Sequence, residues 1–247
     1  MAFFTTSWST SRGWTWKLVG VGGPQPAGRV LHILRQICGS LDEAHGRGLI
    51  HRDIKPGNVF LCQGRSEPDT IKVLDFGLVK DTATAENPAL SAAHSMLGTP
   101  LYIAPEGLVA PASVDARSDL YSLGALAYFL LTGAPVFPGP SVVEVCAQHL
   151  HSEPEAPSVR LGRAVPADLE AIVLGCLKKD RAHRPTSARV LAEALGRCAD
   201  AGTWSRQDAD AWWAEYGNRV EAHRQARVVS GSSPASVFVE GPRKLWS

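Results

Sequence analysis

The 247-residue sequence has no apolar run long enough to cross a bilayer as a helix. Its most apolar stretch, residues 120–131, is short and broken by Ser122 and Gly124, which suits a buried core helix. The first 23 residues lack the continuous apolar segment of a secretory leader. Charge of one sign is also missing: 25 Lys and Arg stand against 24 Asp and Glu, a net +1. No bulk field therefore points to nucleic acid or an anionic membrane as partner. Cysteine is sparse and unpatterned. The five (Cys38, Cys62, Cys146, Cys176, Cys198) are odd in number and form no C-x-x-C pair. That argues against a disulfide scaffold or a structural zinc site and fits reduced thiols in a cytoplasmic core. No segment repeats. At 45% hydrophobic and 20% charged residues, the composition is that of a soluble globular protein.

What is present falls into three regions. Residues 1–26 hold Trp8, Trp14 and Trp16 among Ser, Thr and Gly, with no sustained period, and Pro24 and Pro26 close them off. They are expected to be irregular. Residues 27–46 are expected to form a helix, because Val30, Leu34, Ile37, Leu41 and Ala44 recur at helical spacing and Gly46 and Gly48 supply a stop. Val59–Cys62 reads as a strand, and residues 70–74 as its hairpin partner across a turn-rich link. Residues 79–97 have the composition of a mobile loop. Helices are expected over 118–132, 141–151, from Pro166, after Thr186 or Ser187, and over about 207–221, where Trp212, Trp213 and Tyr216 make an apolar stripe.

Between the first helix and the hairpin lies His51-Arg52-Asp53-Ile54-Lys55-Pro56-Gly57-Asn58. Pro56 and Gly57 keep it from being helical, so one loop aims a carboxylate, an ammonium and an amide at one place. The mix suits phosphoryl transfer, which needs an acceptor for the nucleophile's proton, a cation beside the transferred phosphate and oxygen ligands for Mg²⁺.

The ordered set His51-Arg52-Asp53, Lys55, Asn58, Asp75-Phe76-Gly77 and Ala104-Pro105-Glu106, with Asp119 and Arg184 beyond, resembles the protein-kinase signature. The closest look is to bacterial Hanks-type serine/threonine kinases, over residues 27–200. The resemblance implies a mostly α fold with a small β-hairpin (α+β), the large C-terminal lobe of a kinase. Beyond the span of the resemblance, the residue pattern gives an additional helix over 201–227, and the Ser/Gly/Pro content gives a disordered tail over 228–247. The resemblance further implies ATP and Mg²⁺ as cofactors and a protein Ser/Thr hydroxyl as acceptor. Asp53 then accepts or orients the hydroxyl proton, and Lys55 sits against the γ-phosphate. Asn58 and Asp75 hold Mg²⁺, Thr99 shapes the acceptor platform, and Phe60 lies beneath adenine. His51 and Phe76 are packing residues, Glu106 and Arg184 brace the lobe, and Asp119 tethers the 51–53 loop. Arg52, beside Asp53, implies a grip on a phosphate carried by Ser91 or Ser95.

The family's small lobe has no counterpart in this sequence. Its strands, helix and connections need roughly 60 residues, and only 26 precede the first helix. Lys17 is the only lysine before Lys55, and Glu43 the only glutamate before Asp53. Gly20-Val21-Gly22-Gly23 has Gln25 where a phosphate flap needs its third glycine. The expectation is a serine/threonine kinase sequence that is incomplete as given and weakly active or inactive alone. The alternative is a non-catalytic lobe that docks partners.

Overall fold

The computed structural model describes residues 13–15, 23–62, 69–74 and 100–229, with side chains described from residue 23 to 217. Asp75, Phe76, Gly77, Ser91, Ser95 and Thr99, and the tail 230–247, lie outside the described residues. The architecture is mostly helical with one small antiparallel sheet. Helix α1 (Ala27–Gly46) leads to a 3₁₀ turn (Pro56–Asn58) and strands β2 (Val59–Cys62) and β3 (Thr70–Val73). There follow α2 (Pro105–Val109), α3 (Ala116–Thr132), α4 (Val142–His151), α5 (Pro157–Leu161), α6 (Ala167–Cys176), α7 (Ala188–Gly196) and α8 (Arg206–Val229).

The apolar period of α1 is what buries it. Val30, Leu34, Ile37 and Leu41 are all at most 2% exposed, packed in one core with Leu120, Leu123 and Leu126 of α3. Helix α3 is capped by Asp115, whose carboxylate accepts from Arg117 N at 2.8 Å, and it stops at Gly133, where φ is +73°. Its Gly124 lets α6 approach: a Cβ there would meet Cys176 Cβ at 2.6 Å. Ser141 caps α4, and of the two candidates Thr186 and Ser187 it is Ser187 that caps α7. Helix α8 starts where expected and runs on to Val229.

The sheet has the order β1-β2-β3, both pairs antiparallel. β2 and β3 form the expected hairpin, with Val59 opposite Val73 and Phe60 opposite Lys72. The pairing extends past β3, since Leu74 N donates to Asn58 O at 2.8 Å. The expectation of irregular chain over 1–26 needs one correction. Gly13–Thr15 forms β1 on the outer edge of β2, with Thr15 opposite Phe60. Such pairing satisfies backbone groups at a sheet edge and needs no side-chain alternation, so three residues carry no period to read.

Candidate functional site

The loop after α1 is fixed by residues outside it. Asp119, one turn into α3 and fully buried, accepts from His51 N at 2.9 Å and Arg52 N at 2.8 Å, with His45 Nε2 2.8 Å from the same carboxylate. Asp115 has taken the cap position, which leaves Asp119 free for this task. The second tethered amide belongs to Arg52 itself, which adopts φ +66°, a left-handed conformation that an L residue holds only at a cost. On the other side, the buried His51 ring places Nε2 2.8 Å from Leu74 O, joining the loop to the end of β3. The loop therefore leaves α1, turns sharply at Arg52 and presents Asp53 outward.

Three of the expected site residues meet there. Lys55 Nζ lies 2.7 Å from Asp53 Oδ2. Asn58 Nδ2 donates to Asp53 Oδ2 and to Asp53 O, both at 2.8 Å. Since both partners are acceptors, the amide nitrogen must face them, which turns Asn58 Oδ1 the other way. The Asp53 and Lys55 side chains are 55% and 42% exposed, so their ion pair adds little to stability. Yet the loop that carries this pair is tethered from two sides, by Asp119 of α3 and by Leu74 at the end of β3. Phe60 is half-buried on β2, next to the loop. Asp75 follows Leu74 directly in the chain; its side chain and Thr99 fall outside the described residues.

Below the loop a second constellation braces the helices. Arg184 donates through Nη1 and Nη2 to Glu106 Oε1 and Oε2 at 2.6 and 2.8 Å, and Ser118 Oγ donates to Glu106 Oε1. Arg184 also donates to the carbonyls of Lys178, Lys179 and Arg117, and its guanidinium lies 4.9 Å from the Tyr121 ring centroid. Burial alone would raise the Glu106 pKa, but the hydrogen bonds from Arg184 and Ser118 outweigh it and hold the carboxyl below the ordinary 4.5. A groove of about 390 Å³ between α1 and α7, lined by His32, Arg35, Asp42 and Arg189, touches none of the loop residues.

A loop carrying Asp53, Lys55 and Asn58, tethered by Asp119 and backed by a Glu106–Arg184 brace, invites comparison with known proteins. The family model for the protein kinase domain matches residues 19–195. The chain belongs to the protein kinase family. Within it, the kinship is with bacterial Hanks-type serine/threonine kinases. The lobe is 42% identical over 175 residues to the serine/threonine-protein kinase pkn3 of Myxococcus xanthus, covering 70% of this chain and 32% of that protein. It is 37% identical over 179 residues to PknB of Mycobacterium leprae, covering 72% and 28%. The chain thus spans about a third of the length of these relatives. Among solved structures, the PknI kinase domain of Mycobacterium tuberculosis superposes with a TM-score of 0.54 at 29% identity, over 74% of this chain and 62% of that one. Rad53 residues 1–466 in complex with AMP-PNP share the fold, with a TM-score of 0.58 at 24% identity over 75% and 44% of the two chains.

The kinase family as a whole implies ATP and a divalent cation. Among the described residues no three His, Cys, Asp or Glu side chains gather as a metal cluster. The described oxygen donors at the loop, the Asp53 carboxylate and the Asn58 amide oxygen, are of the hard kind that suits a divalent cation. Two features of this region escape the sequence. The positive φ of Arg52 has no signal in a non-glycine residue. The fully buried Arg29 of α1 pairs with Asp69, 40 residues away, at 2.8 Å.

Proposed function

We propose that this lobe carries out Mg²⁺- and ATP-dependent phosphoryl transfer to Ser or Thr hydroxyls of protein substrates. The observation that carries the reading is the convergence of Lys55 Nζ and Asn58 Nδ2 on the exposed Asp53 carboxylate, 2.7 and 2.8 Å away. Asp53 would receive or orient the acceptor hydroxyl proton, and Lys55 would supply positive charge against the γ-phosphate. Asn58 Oδ1 and Asp75 hold Mg²⁺, which neutralises phosphate charge when bound. Phe60 supplies an apolar face for adenine, and Thr99 shapes the acceptor platform. Residues 27–200 form the functional lobe, and residues 201–227 are an appendage to it. No helix among the described residues is long and apolar enough to cross a membrane, and the near-neutral charge supports a cytoplasmic protein acting on proteins rather than on nucleic acid.

The test is transfer of labelled γ-phosphate to a Ser/Thr substrate, parent against Asp53→Asn. Any transfer the chain makes is expected to pass through Asp53 and fall to background in the variant. Transfer equal in both overturns the role given to Asp53; where neither transfers, as an incomplete lobe also would not, Mg²⁺-ATP binding that weakens in Asn58→Ala separates the kinase reading from the non-catalytic docking lobe.

A further inference from the structure

Asp69 stands at the entry to β3, fully buried and held at φ +48°. Its carboxylate collects donors from three parts of the chain. Arg29 Nε of α1 donates at 2.8 Å, Trp204 Nε1 at 3.0 Å and Trp213 Nε1 of α8 at 2.8 Å. Arg29, also fully buried, donates through Nη1 to Gln25 Oε1 at 2.7 Å, and its Cζ lies 3.8 Å from the Trp212 ring centroid and 4.9 Å from that of Trp204. The result is an ion pair inside an aromatic box. In such a low-dielectric setting each hydrogen bond counts for more than at the surface.

The bonds continue from the box to the site. Gln36 grips the start of β3 twice: Nε2 donates to Asp69 O, and Oε1 accepts from Ile71 N, both at 2.9 Å. At the far end of β3, Leu74 N donates to Asn58 O and Leu74 O faces His51 Nε2, each at 2.8 Å. Trp204, Trp212 and Trp213 all lie past residue 195, where the match to the kinase family model ends. A helix that merely covered apolar surface would need only the rings. Here two indole N–H groups from outside the matched region converge on one carboxylate of the hairpin.

We propose that residues 204–216 are a positioning element for the β2–β3 hairpin, acting through Asp69 to fix Asn58 and the chain entering Asp75. Trp204 and Trp213 are its positioning residues. This deepens the phosphoryl-transfer reading and rests on it where nucleotide is concerned. The placement of the hairpin itself is independent of that reading.

The experiment is amide hydrogen exchange on the full 247-residue chain, parent against Trp204→Phe/Trp213→Phe, which removes both donors and keeps a smaller aromatic ring at each position. Amides of β2 and β3 are expected to exchange about tenfold faster or more, with α3 and α6 unchanged. Should the double variant not fold, Trp213→Phe alone gives the same comparison with one donor lost. Unchanged hairpin exchange overturns the proposal, and so does an equal rise in α3 and α6, the mark of a merely structural role. In a second arm, Mg²⁺-ATP is titrated into both proteins, and weaker binding by the variant is expected. A parent that binds no nucleotide overturns the phosphoryl-transfer reading, while the exchange comparison still decides the positioning role.

Discussion

Replacing Asp119 by Ala removes the anchor of the 51–53 loop, and the cost can be worked from its contacts. The carboxylate takes one bond from the buried His51 amide, one from the amide of the more exposed Arg52 and one from His45. Hydrogen bonds to a charged group contribute about 1.5–3 kcal/mol each, and an orphaned buried N–H costs about 1–3 kcal/mol. Counting the His51 bond in full and the two more accessible ones in part gives a loss of about 4 kcal/mol. Against this, Arg52 is freed from φ +66°, which returns about 1 kcal/mol. The net expectation is about 3 kcal/mol, a large fraction of the 5–15 kcal/mol typical of a domain. Urea unfolding reads it directly, with faster hydrogen exchange at residues 51–54 as the local sign. Arg52→Gly supplies an internal check: it should stabilise the parent by about 1 kcal/mol but the Asp119→Ala protein by less, because the strained turn has already relaxed there. A loss under about 1 kcal/mol in Asp119→Ala would refute the tether.

Three further outcomes follow from the packing. Glu106→Gln leaves the buried Arg184 without its counter-charge and should cost about 3–5 kcal/mol in urea unfolding. Because the folded Glu106 pKa is depressed, its stabilisation is fully present above the ordinary value near 4.5 and is lost as pH falls through the lower folded value; the slope of stability against pH in that acid window should flatten in Glu106→Gln. Gly124→Ala forces a methyl into the 2.6 Å gap before Cys176 and should destabilise the lobe by about 1–3 kcal/mol, measured by the same method.

The parts legible in the sequence were those with short-range rules. The period of α1, the cap at Thr186 or Ser187 and the β2–β3 hairpin each depend on neighbours within a few residues. The site loop was legible because its chemistry is packed into eight residues. Contacts between distant segments were not. Nothing near Arg29 announces a partner at Asp69, and an arginine on the apolar side of a helix gives no sign of the indoles that enclose it. The stripe at Trp212, Trp213 and Tyr216 reads as packing, yet Trp213 Nε1, joined by Trp204 Nε1 from ahead of the helix, donates to a buried carboxylate. The five-residue helices α2 and α5 are too short to show a helical period, though each has a proline in its first turn. Asp119 as the tether follows from the family resemblance and its contacts bear it out, whereas Asp115, four residues earlier, shows itself as the cap only through its contact with Arg117 N.

The most direct measurement of the central claim is a Mg²⁺-ATP titration of the whole chain followed by residue-resolved NMR. Shifts are expected to concentrate in residues 51–62 and 72–77, to require the metal, and to need about tenfold more nucleotide in Asn58→Ala or Asp75→Ala. Shifts that appear elsewhere, or that are indifferent to both substitutions, would contradict a nucleotide site built on the Asp53–Asn58 loop.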